Sequence, residues 1–138
     1  MNDHAESSLQ LLGRLLLCAI IVMSGYAKLS APAASIAMMA QEGAPMPAIS
    51  VVVAIVLELG GGLLLLFGLF CRSVAAVLGV WCIATAVIAH RNFADINMLI
   101  HFWKNVAMAG GFAYVAAFGA GAFSLDAVMF RHRGATTV

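Results

Sequence analysis

One carboxylate sets the problem. Glu58 stands alone in the run VVVAIVLELGGGLLLLFGLF, the core of the stretch Ile49–Phe70, directly ahead of Gly60-Gly61-Gly62. A segment of about twenty apolar residues, rising ~1.5 Å per residue, matches the thickness of a bilayer core. A charge in such a segment costs roughly 2.5–3.5 kcal/mol on insertion scales, so something must answer it. A carboxylate held there can pair with a cation, accept hydrogen bonds or carry a proton.

Four other side chains qualify as its company: Arg14, Lys28, Lys104 and Asn105. Counting rise from Ile49 puts Glu58 roughly 14 Å below the outer boundary. The same count places Lys104 and Asn105 about 3–5 Å below it, Lys28 near it, and Arg14 about 7 Å deeper than Glu58. A guanidinium can snorkel over such a gap, pairs a carboxylate bidentately and keeps its proton. Arg14 is therefore the expected partner from below, with Lys28 or Lys104 approaching from above through water. The ligand-binding set is Arg14, Lys28, Glu58, Lys104 and Asn105, with Glu58 the candidate proton carrier. A buried ion pair that only fixes helix register is the alternative.

The elements that must hold these groups are membrane helices. The chain has 138 residues, one domain by length, with 64% hydrophobic and 9% charged residues and a mean hydropathy of +1.04. Soluble domains carry about 25% charged residues, and this chain is too apolar to hide its surface without a bilayer. Four spans are predicted, at about 9–29, 49–70, 73–90 and 102–123, in an all-α antiparallel bundle. Spans two and three are joined by Cys71-Arg72. Between spans one and two, Pro32 opens a short interfacial helix with Ile36 and Met39 inward, and Gly43, Pro45 and Pro47 stop it.

Helical spacing gathers the candidates onto faces. Arg14, Cys18, Ile21, Gly25 and Lys28 share one stripe of span one. Ala75, Gly79, Cys82, Ala86 and His90 form a mostly small stripe on span three, and Asn105, Ala109, Phe112 or Ala113, Ala116 and Ala120 another on span four. Small residues let membrane helices approach closely, so a compact bundle is expected. Trp103 near a boundary reads as an interfacial belt residue.

Charge gives little more. The net charge of +1 carries no nucleic-acid message, and Arg131-His132-Arg133 reads as a cytoplasmic anchor. Arg72, Arg131, Arg133 and the nearby Arg14 oppose Lys28, Arg91 and Lys104, which predicts both termini in the cytoplasm. The first apolar segment is too long for a cleaved signal peptide. Cys18, Cys71 and Cys82 are far apart and read as small hydrophobes. No metal-ligand cluster is present in the pattern. His90 and His101 lie near span ends, where a cap or loop role is simpler than haem ligation.

Gly13-Arg14-Leu15-Leu16-Leu17 with Ser24-Gly25-Tyr26-Ala27-Lys28-Leu29 resembles the opening of the DoxX family of small membrane proteins. Glu58-Leu59-Gly60-Gly61 leading to Gly68-Leu69-Phe70-Cys71-Arg72 is similar to its second signature, and His101-Phe102-Trp103-Lys104-Asn105 to its third. The resemblance covers roughly residues 10–125 and implies a four-helix protein of the bacterial cytoplasmic (inner) membrane. It also implies that Arg14, Lys28, Glu58, Lys104 and Asn105 occupy the family's polar positions. Relatives of the small subunit of thiosulfate:quinone oxidoreductase belong to that family. A quinone- or redox-complex-associated subunit is thus one expectation, partnered by a soluble or membrane oxidoreductase. No cofactor motif of the chain's own is present, so quinone is the one cofactor in view. A non-catalytic scaffold with structural ion pairs is the alternative, and a homo-oligomer fits either. A solute channel is disfavoured by four short spans without an inverted repeat.

Overall fold

The computed structural model describes residues 3–134, with the backbone alone for Asp3 and for 130–134. The Arg131-His132-Arg133 anchor expectation therefore lies outside the described side chains. Every regular element among the described residues is helical: α1 (Asp3–Ser30), α2 (Pro32–Gln41), α3 (Pro47–Phe67), α4 (Cys71–Ala89), α5 (Ile96–Phe118) and α6 (Leu125–Gly134). Three of them, α1, α3 and α4, are long and apolar enough to cross a membrane. The fourth expected span is occupied by α5, a 23-residue helix. It falls short in apolarity because His101, Lys104 and Asn105 interrupt its first half. It begins at Ile96 because the Asp95 carboxylate caps the Asn97 N–H (2.8 Å).

The turns are where the predicted boundaries move. Between α3 and α4 the chain reverses at Gly68, Leu69 and Phe70, so Cys71 opens the helix instead of forming the turn. Gly68 sits at φ +74°, a left-handed position that only glycine takes without strain, and an added Cβ there would collide with Ser124. Asp126 of α6 then accepts from the Phe70 and Cys71 N–H groups (2.9 Å each), capping α4 from a distant part of the chain. Past Phe118 the chain leaves the helix through Gly119 and Gly121, both at positive φ, which ends α5 short of the expected Phe123.

The core follows the predicted stripes in part, taking in Cys18, Ile21, Ala75, Cys82 and Phe112 and adding Leu65, Cys71, Leu78 and Met108 from outside them. Cys18 and Ile21 of α1, Leu65 of α3, Cys71, Ala75, Leu78 and Cys82 of α4, and Met108 and Phe112 of α5 form one buried cluster. α4 and α5 pack along each other, and α1 packs on α3. Leu16, Met23, Val52, Val80 and Tyr114 point outward and exposed, as expected of helices whose other face meets lipid. The short helix α2 is present where Pro32 predicted it, with Met39 and Ser35 buried beneath it and Ile36 partly so.

Candidate functional site

Within α3 the helix is not regular. Val56–Gly61 forms a π-helical turn around Glu58. Such a turn inserts one residue into the helical register and is frequent at functional sites. The following glycines offer no side chain to oppose it, and the facing helix closes in accordingly. A Cβ on Gly25 of α1 would lie 2.5 Å from the Leu59 nitrogen and 3.0 Å from the Glu58 Cβ. Glycine at 25 is what lets α1 lie against the widened turn.

Glu58 points inward and is 4% exposed. Its Oε2 accepts from Lys28 Nζ at 2.7 Å, the single ion pair among the described residues. Its Oε1 accepts from the Trp81 indole Nε1 at 3.1 Å. Lys28 in turn donates to the Ser24 hydroxyl at 2.8 Å. Both carboxylate oxygens thus have a donor, which is what a buried charge requires.

Arg14 is not the partner. It is buried (2% exposed), but Nη1 donates to the Ala120 carbonyl and Nη2 to the Phe123 carbonyl (2.7 Å), in the loop after α5. Its Nε finds no acceptor among the described residues. The expected pairing fails because the helix ends are not level. Gly25 lies beside Leu59, so Lys28 stands only about 5 Å above the acid, three residues on at ~1.5 Å each. Depth counted from a common flat boundary therefore put Lys28 too high. Asn105 and Lys104 do not bond to Glu58 either. Asn105 Nδ2 donates to the His101 carbonyl of its own helix (2.9 Å), and Lys104 Nζ bonds the His101 Nδ1 (3.0 Å).

These groups nevertheless share one space. A cavity of about 510 Å³ is lined by Glu58, Lys28, Ser24 and Trp81 and by His90, His101, Lys104 and Asn105. Glu42, Ser50 and Thr85 also line it, and the rest of its wall is apolar, with Ile20, Ile21, Met38, Met39, Met98 and Met108 prominent. That size lies within the range of small-molecule pockets, which combine apolar walls with a few placed polar groups. Of the five predicted residues, four line it, and Arg14 does not.

One mouth residue outside the spans, Glu42, has a shifted acidity. Burial pushes the Glu42 carboxyl up, with Lys28 partly opposing. The His90 and His101 rings lie 5.3 Å apart. Among the described residues no three His, Cys, Asp or Glu side chains converge on a metal position.

Trp81 was not foreseen as a donor to Glu58. Nothing in the α4 sequence sets its rotation against α3, and the one local hint is that Trp81 and Thr85 share a helical face. The π turn was likewise unforeseen, although three consecutive glycines after an acid mark where a helix can change register.

The comparisons with known proteins agree on kinship. The DoxX family model matches residues 9–91. The chain is 34% identical over 128 residues to "Inner membrane protein YphA" of Escherichia coli (strain K12), covering 88% of this chain and 91% of that protein. It is also 34% identical over 120 residues to "Inner membrane protein YqjF" of the same organism, covering 86% and 90% respectively. No solved structure matches it significantly. Glu58, Lys28 and Trp81 all fall inside the matched segment, and the chain belongs to the DoxX family.

Proposed function

We propose that the cavity above Glu58 binds the headgroup of a quinone and that the protein serves as an inner-membrane subunit for a redox partner. The observation that carries this reading is a polar floor under apolar walls. Glu58, Lys28 and the Trp81 indole lie together at one point of a space whose apolar wall is largely methionine and isoleucine. A quinone carbonyl accepts hydrogen bonds, and Lys28, Asn105 and Lys104 offer N–H donors. Glu58 exchanges protons there as the headgroup changes redox state, and the electrons pass through an oxidoreductase partner. In this reading α5 is the fourth span, its polar side chains turned to the cavity end. α2 lies at the interface and both termini are cytoplasmic, which puts the cavity on the outer side. The names of the Escherichia coli relatives support the inner-membrane placement.

The test is binding in lipid nanodiscs, read by quenching of Trp81 fluorescence in a Trp103→Phe background. Decylubiquinone is expected to quench saturably, and Glu58→Gln to weaken its binding about tenfold, or ~1.4 kcal/mol. Quenching that only tracks the quinone content of the lipid contradicts the reading.

A scaffold role is favoured by one observation, the completeness of the Glu58 pairing inside the protein. Under it, Glu58→Gln lowers stability and leaves quinone quenching as it is in the wild type.

A further inference from the structure

We propose that the cavity's ligand carries a long apolar chain and that this chain lies in a groove along α4 and α5, so that the ligand enters from the lipid. This rests on the headgroup site proposed above and adds the part of the molecule that site does not hold. A second void, a groove of about 780 Å³, runs beside α4 and α5. Every residue lining it is Ala, Gly, Val or Ile, with Ala75 and Gly79 on α4 and Ala109, Ala113 and Ala116 on α5. Nothing in it can hold a polar headgroup, and everything in it suits a hydrocarbon chain.

The groove and the polar cavity share part of their walls. Ala84 and Ile88 line both. They sit one helical turn apart on α4, and Trp81, a turn before Thr85 on the same helix, donates to the acid. The small side chain at Ala84 leaves a low ridge between polar floor and apolar groove. From Ile88 to Ala75 the groove follows α4 for roughly 20 Å, thirteen residues at ~1.5 Å. Small residues on both helices leave this trough where larger ones would fill it. A chain-bearing ligand therefore sets its headgroup at Glu58, crosses at Ala84 and lays its chain between the helices.

Binding is compared in nanodiscs between the tail-less dimethoxy-methyl-benzoquinone headgroup and decylubiquinone, with concentrations expressed per lipid for the latter. Ala76→Phe and Ala113→Phe narrow the groove with apolar side chains at exposed positions that do not line the polar cavity. The expected result is that both variants reduce decylubiquinone affinity about tenfold and leave the tail-less headgroup unchanged. A decylubiquinone analogue with a diazirine at its chain end is expected to photolabel peptides 75–88 and 109–116. If the headgroup binds but the chain adds nothing in the wild type, or the variants leave its advantage intact, the groove assignment is overturned and the headgroup site stands. Labelling spread evenly over all lipid-facing helices overturns it as well. If the tail-less headgroup does not bind at all, the headgroup site itself falls, and the groove assignment with it.

Discussion

The molecule places two strong charges on one face of α1, Arg14 buried and Lys28 half-buried, and treats them oppositely. Around Arg14 the chain is knitted shut. Two backbone carbonyls from the loop after α5 hold the guanidinium, Asp126 caps α4, and Gly68 lies where Ser124 leaves no room for a Cβ. At Lys28 the helix meets a widened turn, an acid, an indole and an open cavity. Arginine suits the first place, because a rigid fork that never deprotonates can span several carbonyls. Lysine suits the second, because a single ammonium can share itself among a carboxylate, a hydroxyl and a ligand. One end of the bundle spends a charge on closure; the other keeps one beside a space.

The contrast is broken most forcefully at Arg14. Arg14→Leu removes two charge-assisted hydrogen bonds and leaves two carbonyls unpaired, at a cost of about 3 kcal/mol or more. Thermal unfolding in detergent should show that loss, while the folded fraction keeps wild-type quinone affinity. Gly25→Ala comes next, because its Cβ would press on the Leu59 backbone and push α1 from the π turn. Overpacking of this kind costs roughly 1–3 kcal/mol, and here both stability and ligand affinity should fall. Trp81→Phe removes one donor from Glu58 at about 1 kcal/mol, measurable as a small loss of stability together with weaker binding.

The smallest effect is the pH dependence at the cavity mouth. Burial raises the Glu42 pKa above its unfolded value, so the folded state holds this proton more tightly. Its contribution to stability is fully present below the ordinary carboxylate pKa and is lost as pH rises through the raised folded value. Glu42→Gln should therefore flatten the fall in melting temperature across that mildly acidic window. A wild-type melting temperature that rises through the same window would reverse the sign.

Much of this arrangement was legible in the chain. A lone acid amid twenty apolar residues had to face inward, and the spacing of Arg14, Cys18, Ile21, Gly25 and Lys28 placed them on one buried stripe. The pairing was not legible, because periodicity fixes which face a residue shares and not the height at which two helices meet. Gly25 against Leu59 sets that height, and only the packed helices reveal it. The knot at the other end stayed hidden for a similar reason. Asp126 and Ser124 lie more than fifty residues from the turn they hold, and no local pattern links them. Trp81 was visible as an aromatic residue but not as the donor to the acid, since helix rotation decides it.

The difference between the two ends of α1 is tested most directly by calorimetric titration of decylubiquinone into nanodisc-embedded wild type, Glu58→Gln and Arg14→Lys, each verified as folded. Affinity should fall about tenfold for Glu58→Gln and match the wild type for Arg14→Lys. Equal losses in both variants, or none in either, would contradict the assignment of closure to one end and binding to the other.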